Sequence, residues 1–334
     1  MTGFKELFMS STPSSFALGI DIGGTKIYTV VVDEDYNILG RGKKKTGDGS
    51  PGQLMQRLYV SIDEAIQNAG VTFDQIHTAG VGFPGPLDPD KGIILQATNL
   101  PAWSHFPLAD EISTHINAPV FIDNDVNLGT YGEAMLGAGA GAKNVIGIFL
   151  GTGVGGGIII DGKIYHGTAG TAGEVGHVII QHGGIPGPFG LKGSVEGLTS
   201  RNAIIRSIRN DIKKGKKCSL EVLFKSGKKI GSSQLAAAYR DGDSVVIKAF
   251  HHAAELVGVT MGSLINLLAP DVVILGGGVI SAVPEAVVPI AKKVAMRIML
   301  ESNRKTSRIE IAALGDDAGA LGAAFYARHR LKGE

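Results

Sequence analysis

Short apolar runs bounded by glycine, proline or acidic residues recur along the chain, and they predict the strands of a mixed α/β protein. None of these runs is long enough to cross a membrane. The predicted strands are Phe16–Ile22, Lys26–Val32, Ile38–Lys45, Ile76–Phe83, Pro119–Ile122, Val145–Leu150, Ile158–Asp161 and Asp271–Leu275.

Between these runs, apolar residues recur every three or four positions and predict helices. The clearest helix runs from Pro51 to Ala69, where Leu54, Leu58 and Ile62 lie on one stripe. Further helices are predicted at about Leu128–Leu136, Gly193–Arg209, Ser244–Leu268 and Asp316–Arg330.

A unit of strand, glycine-rich bend and return strand occurs twice, about one domain length apart. The first bend contains Gly23 and Gly24, and the second spans Gly151 to Gly157. This repeat predicts two similar α/β domains, with ligands at the carboxyl ends of strands and in a cleft between the domains. We expect a flexible N-terminal tail at 1–16, a smaller domain of 17–134 plus 316–334, and a larger domain of 135–315.

The overall composition narrows the possible functions. The net charge is +1, so neither a nucleic acid nor an anionic membrane is an expected partner. Cys218 is the one cysteine, which excludes an internal disulfide and a cysteine-cluster metal site and favours a cytoplasmic location. Glycine accounts for 49 of the 334 residues, about twice the usual share. Because the glycines cluster beside apolar strands, they favour ligand-binding loops over simple tight turns.

The first glycine bend, Asp21-Ile22-Gly23-Gly24-Thr25-Lys26, carries the residues of a phosphate and metal site. Glycines let the backbone approach a ligand, and consecutive N–H groups at a bend bind anions. Thr25 adds a hydroxyl donor, Lys26 adds a positive charge, and Asp21 supplies an oxygen that suits Mg²⁺, directly or through water. Because the bend joins two strands, it is neither a Walker loop nor a dinucleotide-binding turn.

A second group, Asp123-Asn124-Asp125, stands where a predicted strand gives way to a helix. Asp and Asn are favoured helix N-caps, so one interpretation is purely structural. In the other, a carboxylate takes the proton of a sugar hydroxyl as that oxygen attacks phosphorus, and Asn124 fixes a neighbouring hydroxyl. Alternation along a strand puts Asp123 and Asp125 on the same side, so the residues alone do not choose between them.

A third group is Gly173-Glu174-Val175-Gly176-His177. One interpretation is a loop with a solvated acid and a structural histidine. The other is polyol recognition, in which Glu174 accepts hydrogen bonds from two vicinal hydroxyls and His177 makes another. Glu196, after a further glycine-rich loop, could join them, although a glutamate in the first turn of a helix is also a routine partner of the helix dipole.

Together these segments resemble the ROK family of sugar kinases, whose members have two ribonuclease H-like domains of the actin/hexokinase superfamily. The similarity runs from Ala17 to about Arg330. The segments at 21–26 and 150–157 resemble the two phosphate motifs, and 275–279 resembles the adenosine motif. The segment at 124–127 resembles the catalytic segment, which favours Asp125 over Asp123 as the general base.

The resemblance also implies which residues contact the ligands. ATP and Mg²⁺ are the implied cofactors, with Asp21 nearest the metal. The implied nucleotide contacts are Asp21, Gly23, Gly24, Thr25, Lys26, Gly151, Thr152, Gly153, Gly276, Gly277 and Gly278. The implied sugar contacts are Gly85, Asn99, Asn124, Asp125, Glu174, His177 and Glu196.

One segment departs from the family pattern, which carries a CxCGxxGCxE zinc motif after the histidine. Gly187, Phe189 and Ser194 stand where the three cysteines would be, and the closing Glu196 is kept. None of the three replacements supplies a thiolate, so no structural zinc is expected. We expect a loop held by packing, with Phe189 turned inward and His177 left to the sugar or to a local hydrogen bond.

These features predict an ATP-dependent hexose kinase with an aspartate general base. Glucose is favoured because Glu174, His177 and Glu196 resemble the set found in glucokinases, while fructose, mannose, N-acetylglucosamine and N-acetylmannosamine remain alternatives. A non-catalytic sugar sensor is another. A repressor is disfavoured, since ROK repressors carry an N-terminal helix-turn-helix and about twenty residues precede Asp21 here. A homodimer in the cytoplasm is expected.

Overall fold

The computed structural model describes residues 15–47, 50–95 and 103–333, apart from the side chain of Phe189. Most of the predicted tail therefore lies outside the described residues, and Phe16 already belongs to the first strand. The chain divides into two compact units, one formed by Met1–Asp125 with Ala323–Glu334 and the other by Val126–Gly322. Both dividing points fall inside helices, whereas the sequence places the boundaries at 134 and 316.

The first unit is built on a five-stranded mixed sheet with the order β3-β2-β1-β4-β7. Strand β1 pairs antiparallel with β2 and parallel with β4, and β4 pairs parallel with β7. Strands β5 and β6 form a separate short pair. The strands are β1 (Phe16–Ile22), β2 (Lys26–Val32), β3 (Ile38–Lys45), β4 (Ile76–Phe83), β5 (Leu87–Asp88), β6 (Ile93–Ile94) and β7 (Val120–Asn124).

Two helices of this unit, α1 (Pro51–Ala69) and α2 (Leu108–Ile116), bury their apolar stripes against the sheet. Glycine lets α1 lie close to β3, because a Cβ at Gly42 would stand 1.8 Å from the Ser61 carbonyl oxygen. The predicted helix Pro51–Ala69 is confirmed with its exact bounds.

Helix α3 (Asp125–Leu136) follows β7 without a loop. The sequence prediction that this helix begins at Leu128 is therefore wrong by three residues, and the strand before it extends to Asn124 rather than Ile122. Because a helix N-terminus carries a partial positive charge, the carboxylate of Asp125 suits its first turn.

The second unit repeats the strand order of the first, as β10-β9-β8-β11-β12. An antiparallel hairpin again continues into parallel strands. The strands are β8 (Val145–Leu150), β9 (Val154–Ile160), β10 (Lys163–Ile164), β11 (Val272–Gly276) and β12 (Arg308–Ile311).

Strand β9 begins four residues before the predicted Ile158, so the second glycine bend is shorter than expected. Gly155, Gly156 and Gly157 lie within the strand and are needed for close packing. A Cβ at Gly157 would stand 2.4 Å from the Thr130 hydroxyl oxygen of α3, and one at Gly155 would stand 2.8 Å from a Val126 methyl group. The bend proper is therefore Gly151-Thr152-Gly153.

The predicted helix Gly193–Arg209 is two helices in the structure. Ser200 has extended backbone angles and its hydroxyl accepts the N–H of Ala203, so it ends one helix and caps the next. The final helix begins at Ala318, after a 3₁₀ turn, rather than at Asp316. The remaining helices are α4 (Val195–Thr199), α5 (Arg201–Lys213), α6 (Glu221–Lys225), α7 (Ser232–Arg240), α8 (Ser244–Leu268), α9 (Gly278–Ala282), α10 (Pro284–Ile298), α11 (Glu301–Thr306) and α12 (Ala318–Lys332).

The predicted class, two α/β domains with a repeated hairpin, is confirmed by the two sheets. In the part of the chain that is described, no helix combines the length and the apolar character that a membrane crossing requires.

Candidate functional site

In the first unit, the turn between β1 and β2 leaves space beside its backbone. The N–H of Gly23 donates to the carbonyl of Lys26 at 2.9 Å and closes the turn. A Cβ at Gly24 would meet nothing within 4 Å, and Gly23 and Gly24 both lack a left-handed φ. Neither packing nor backbone conformation therefore requires glycine at these two positions. The space beside Gly24 is open and could be occupied by a ligand.

Thr46, just after β3, stabilises this turn through two hydrogen bonds to its carbonyl groups. Its hydroxyl donates to the Gly23 carbonyl at 2.6 Å, and its N–H donates to the Thr25 carbonyl at 3.1 Å. Arg57 of α1 in turn donates to the Thr46 carbonyl at 2.6 Å. No sequence pattern indicated Thr46 or Arg57, because Thr46 is simply a polar residue following a strand.

The carboxyl ends of β1, β4 and β7 bring several predicted site residues to one edge of the first sheet. Asp21 is paired with Gly82, and Gly82 with Asp123 in the next strand. Gly85 follows β4 with a left-handed φ of 123°. Strand spacing of about 4.8 Å therefore places Asp21 and Asp123, which lie two strands apart, about 10 Å from each other. Gly85 and Asp125 come just after the ends of β4 and β7 at the same edge.

Burial distinguishes the two candidate bases. Asp123 is fully buried, and its carboxylate accepts the N–H of Asn124 at 2.7 Å. Burial, and after it the Asp123 charge, raise the pKa of the Tyr326 hydroxyl of α12. Asp125 is only half-buried, because the chain has turned into α3 and strand alternation has ended. Asp123 is thus engaged inside the unit, and Asp125 is the carboxylate that solvent reaches.

In the second unit, the turn Gly151-Thr152-Gly153 is closed by the N–H of Gly151, which donates to the Gly153 carbonyl at 2.9 Å. The N–H of Arg201 donates to the Gly151 carbonyl at 3.0 Å, and the guanidinium donates to the Thr152 hydroxyl at 2.5 Å. No sequence pattern singled out Arg201.

Gly276, Gly277 and Gly278 lie beside this turn, since β8 and β11 are adjacent parallel strands. A Cβ at Gly276 would stand 2.6 Å from the Phe149 ring, and Gly277 has a φ of 86°. These two glycines are therefore required by packing and conformation. Gly278 is not, because a Cβ there would meet only the Ser232 hydroxyl at 3.8 Å. The structure thus brings together the two segments that resemble the second phosphate motif and the adenosine motif.

Glu174 directly precedes a single 3₁₀ turn, Val175–His177, and His177 is the last residue of that turn. Their side chains are 54% and 38% exposed, and His177 Nδ1 lies 3.8 Å from a Glu174 oxygen. Gly176 lets this turn pack on β9, since a Cβ there would stand 2.1 Å from the Val154 carbonyl oxygen. Both polar side chains are therefore accessible at the start of β9.

Glu196 lies at the same place and is engaged with the protein. Its Oε2 accepts the N–H of Val154 at 2.9 Å. Gly153 leaves the necessary space, because a Cβ there would stand 2.4 Å from that oxygen. One carboxylate oxygen therefore anchors the turn, and the predicted sugar contact of Glu196 stays a prediction.

The segment that departs from the zinc pattern is closed by backbone hydrogen bonds. Bonds run from Gly187 N–H to the Leu191 carbonyl at 2.7 Å and from Gly193 N–H to the Ile185 carbonyl at 2.9 Å. Ser194 caps α4 by accepting the N–H of Gly197 at 3.2 Å. Among the residues described, no group of three or more His, Cys, Asp or Glu side chains is arranged to hold a metal. Asn99 and the inward Phe189 side chain were also predicted, and both lie outside what the structure describes.

The residues present suit a phosphate-bearing nucleotide. Each unit offers a turn whose backbone is open on one side, at Gly24 in the first and at Gly151 in the second. A cationic side chain accompanies each, Lys26 in the first unit and Arg201 in the second. Such turns and cations bind phosphate oxygens, and the Asp21 carboxylate provides a hard ligand for a divalent metal.

Comparison with known proteins agrees with this interpretation. The glucokinase of Halalkalibacterium halodurans is 31% identical over 315 residues, covering 94% of this chain and 95% of that protein. The xylose repressor of Caldicellulosiruptor bescii is 30% identical over 312 residues, covering 91% of this chain and 76% of the repressor. The crystal structure of a ROK family glucokinase from Streptomyces griseus, in complex with glucose and AMPPNP, superposes with a TM-score of 0.79 at 32% identity, covering 94% of this chain and 100% of that one.

The ROK family profile matches residues 17–330, nearly the whole chain. The two repeated sheets, the glycine turns at their strand ends and these likenesses lead to one conclusion: the chain belongs to the ROK family.

Proposed function

We propose that this chain, an ATP-dependent sugar kinase, transfers the γ-phosphoryl group of ATP to the 6-hydroxyl of glucose. The observation that carries the proposal is the edge formed by β1, β4 and β7. Asp21 and Asn124 lie within the last two residues of β1 and β7, and Gly85 and Asp125 come just after β4 and β7. The glucokinase relatives, one of them solved with glucose and AMPPNP, support both the donor and the acceptor.

Asp125 acts as the general base in this proposal. It is the half-buried carboxylate of the pair, and the proton of a sugar hydroxyl can pass to it as the oxygen attacks phosphorus. Asn124 holds a neighbouring hydroxyl, because its amide can both donate and accept. Glu174 and His177, exposed on their 3₁₀ turn, orient the rest of the ring.

Positioning and charge neutralisation account for most of the catalysis. The turn at Gly23 and Gly24, with Lys26, binds phosphate oxygens in the first unit, and the turn at Gly151–Gly153 does so in the second. Mg²⁺, when bound near Asp21, neutralises charge on the phosphate oxygens.

A coupled assay of ADP release over a panel of sugars tests the proposal. The panel comprises glucose, fructose, mannose, N-acetylglucosamine and N-acetylmannosamine, each at saturating Mg-ATP. We expect kcat/KM to be largest for glucose by at least tenfold. A larger value for another sugar would replace glucose and keep the kinase assignment.

A second candidate function is sugar-dependent repression, because a xylose repressor is among the relatives. The same assay separates the two, since a sensor would bind sugar without ADP release. Binding of glucose by calorimetry together with no turnover on any sugar would favour the sensor. A homodimeric state and a cytoplasmic location stay predictions.

A further inference from the structure

Arg201, the first residue of α5, has an unusual set of partners for a cationic side chain. Its Nη2 donates to the Thr152 hydroxyl at 2.5 Å, and its Nη1 lies 3.5 Å from the Ser232 hydroxyl oxygen. Its Nε is buried and has no acceptor among the residues that the structure describes. No carboxylate in the described parts of the chain pairs with this guanidinium. Among the described residues, the guanidinium therefore donates to neutral hydroxyl groups, which leave its positive charge unneutralised.

The position of Arg201 joins the two glycine turns of the second unit. Thr152 is the middle residue of the β8–β9 turn, whose Gly151 carbonyl accepts the Arg201 N–H. Ser232, at the start of α7, lies next to Gly278 at the start of α9. The planar guanidinium of Arg201 thus reaches from Thr152 in the β8–β9 turn to Ser232, which lies beside Gly278.

A partly buried guanidinium without a carboxylate is costly unless an anion completes its surroundings. Its donors lie in a rigid fork that matches phosphate oxygens, and such charge-assisted hydrogen bonds are stronger than those to hydroxyls. The hydroxyls of Thr152 and Ser232 orient the fork and do not neutralise it.

We propose that Arg201 binds the phosphate chain of the nucleotide in the second unit, held ready by Thr152 and Ser232. This inference rests on the proposed function, since it assigns one more contact to the ATP site. It differs from the nucleotide contacts predicted from the sequence, which are confined to the glycine motifs and the Asp21–Lys26 turn.

The test measures ADP and adenosine affinity by calorimetry for wild type, Arg201→Gln and Arg201→Lys. We expect Arg201→Gln to weaken ADP binding at least tenfold and to leave adenosine binding within twofold. Arg201→Lys keeps the positive charge but loses the planar guanidinium, so its ADP affinity should lie between those of wild type and Arg201→Gln. Arg209→Gln is the matched control, because Arg209 lies on the same helix over the Phe224 ring and should leave ADP binding unchanged.

Unchanged ADP binding in Arg201→Gln would overturn the inference. Equal losses for ADP and adenosine would also overturn it, because they would show that Arg201 only braces the turns. If Arg201→Gln does not fold, the Arg201→Lys comparison decides. If the wild-type protein binds no ADP, the proposed function is overturned as well. If the wild type phosphorylates sugar but binds ADP no more tightly than Arg201→Gln does, this inference alone is overturned.

Discussion

Glu196 accepts the backbone N–H of Val154 at 2.9 Å, across 42 positions of sequence. The bond ties the first turn of α4 to the end of the glycine turn that precedes β9. A residue predicted to contact sugar is therefore also a support for the predicted phosphate turn.

Replacing Glu196 by Ala should weaken nucleotide binding, because the turn loses its anchor. A hydrogen bond to a charged group is worth about 1.5–3 kcal/mol, so we expect roughly a 10- to 150-fold increase in the dissociation constant for ADP. Glu196→Gln keeps an acceptor oxygen and should lose less. Calorimetric titration with ADP in the absence of sugar measures this dissociation constant. An unchanged constant in Glu196→Ala would show that Glu196 does not support nucleotide binding and would leave sugar binding as its proposed role.

Asp125→Asn and Asp123→Asn should affect different properties of the enzyme, the first its turnover and the second its stability. Asp125→Asn should lower kcat by several orders of magnitude while sugar binding stays near wild type, since the amide keeps the shape of the side chain but does not accept the proton. The melting temperature should fall only slightly, because a charge at the N-terminus of a helix such as α3 is worth about 0.3–1 kcal/mol. Asp123→Asn should mainly lower the melting temperature, because Asp123 is fully buried. Steady-state kinetics and thermal unfolding of both variants check this. Near-normal turnover of Asp125→Asn would end its assignment as the base.

Local pattern predicted much of this fold, because strands such as Phe16–Ile22 and the helix Pro51–Ala69 are decided by their own apolar periodicity. The start of β9 was not predicted, because its glycines were interpreted as a loop. They are strand residues made necessary by Thr130 and Val126, which are close in space and not in sequence.

Residues of the candidate site could be predicted from the sequence only where they belong to a short, recognisable motif. The turns and the strand-end residues Asn124 and Asp125 have recognisable local sequences. Arg201 does not, because its role depends on contacts with Thr152 and Ser232, which lie 49 and 31 positions away. The choice between Asp123 and Asp125 likewise needed the helix start at Asp125, which ends the alternation.

Asp243 should make the stability depend on pH in the acid range. Burial raises the pKa of this carboxyl, but hydrogen bonds from Ser219 and Val246 outweigh burial and hold the pKa below its usual 3.8. A lowered pKa in the folded state contributes stability above the unfolded pKa, and that contribution is lost as pH falls through the folded value.

Asp243 also caps α8, accepting the N–H groups of Val245 and Val246 at 2.9 and 3.1 Å. Asp243→Ala should therefore cost about 1 kcal/mol at neutral pH, with the difference from wild type shrinking below about pH 4. Urea unfolding at several pH values measures it. Asp241→Ala, at an exposed position two residues earlier, is the control and should change little. A difference that is constant down to pH 2 would contradict the ionic role.

Purified protein should contain no stoichiometric zinc. Gly187 and Ser194 stand where the family motif has cysteines, and neither supplies a thiolate. We expect elemental analysis to find far less than one zinc per chain, and EDTA to leave the melting temperature of the ligand-free protein unchanged. One tightly held equivalent of zinc would show that the segment binds the metal through other ligands.

Packing at Gly187 should replace the metal in holding this segment. A Cβ at Gly187 would stand 2.7 Å from the Ser194 hydroxyl oxygen and 3.0 Å from the Gly197 Cα, so the segment closes only around glycine. Gly187→Ala should then cost about 1–3 kcal/mol by overpacking and disturb the cap of α4. Gly52→Ala, in a helix with nothing within 4 Å of the added Cβ, is the matched control and should be neutral or stabilising. Denaturant unfolding compares the two. If Gly187→Ala is as stable as wild type, the segment does not depend on this close contact and some other interaction must hold it in place.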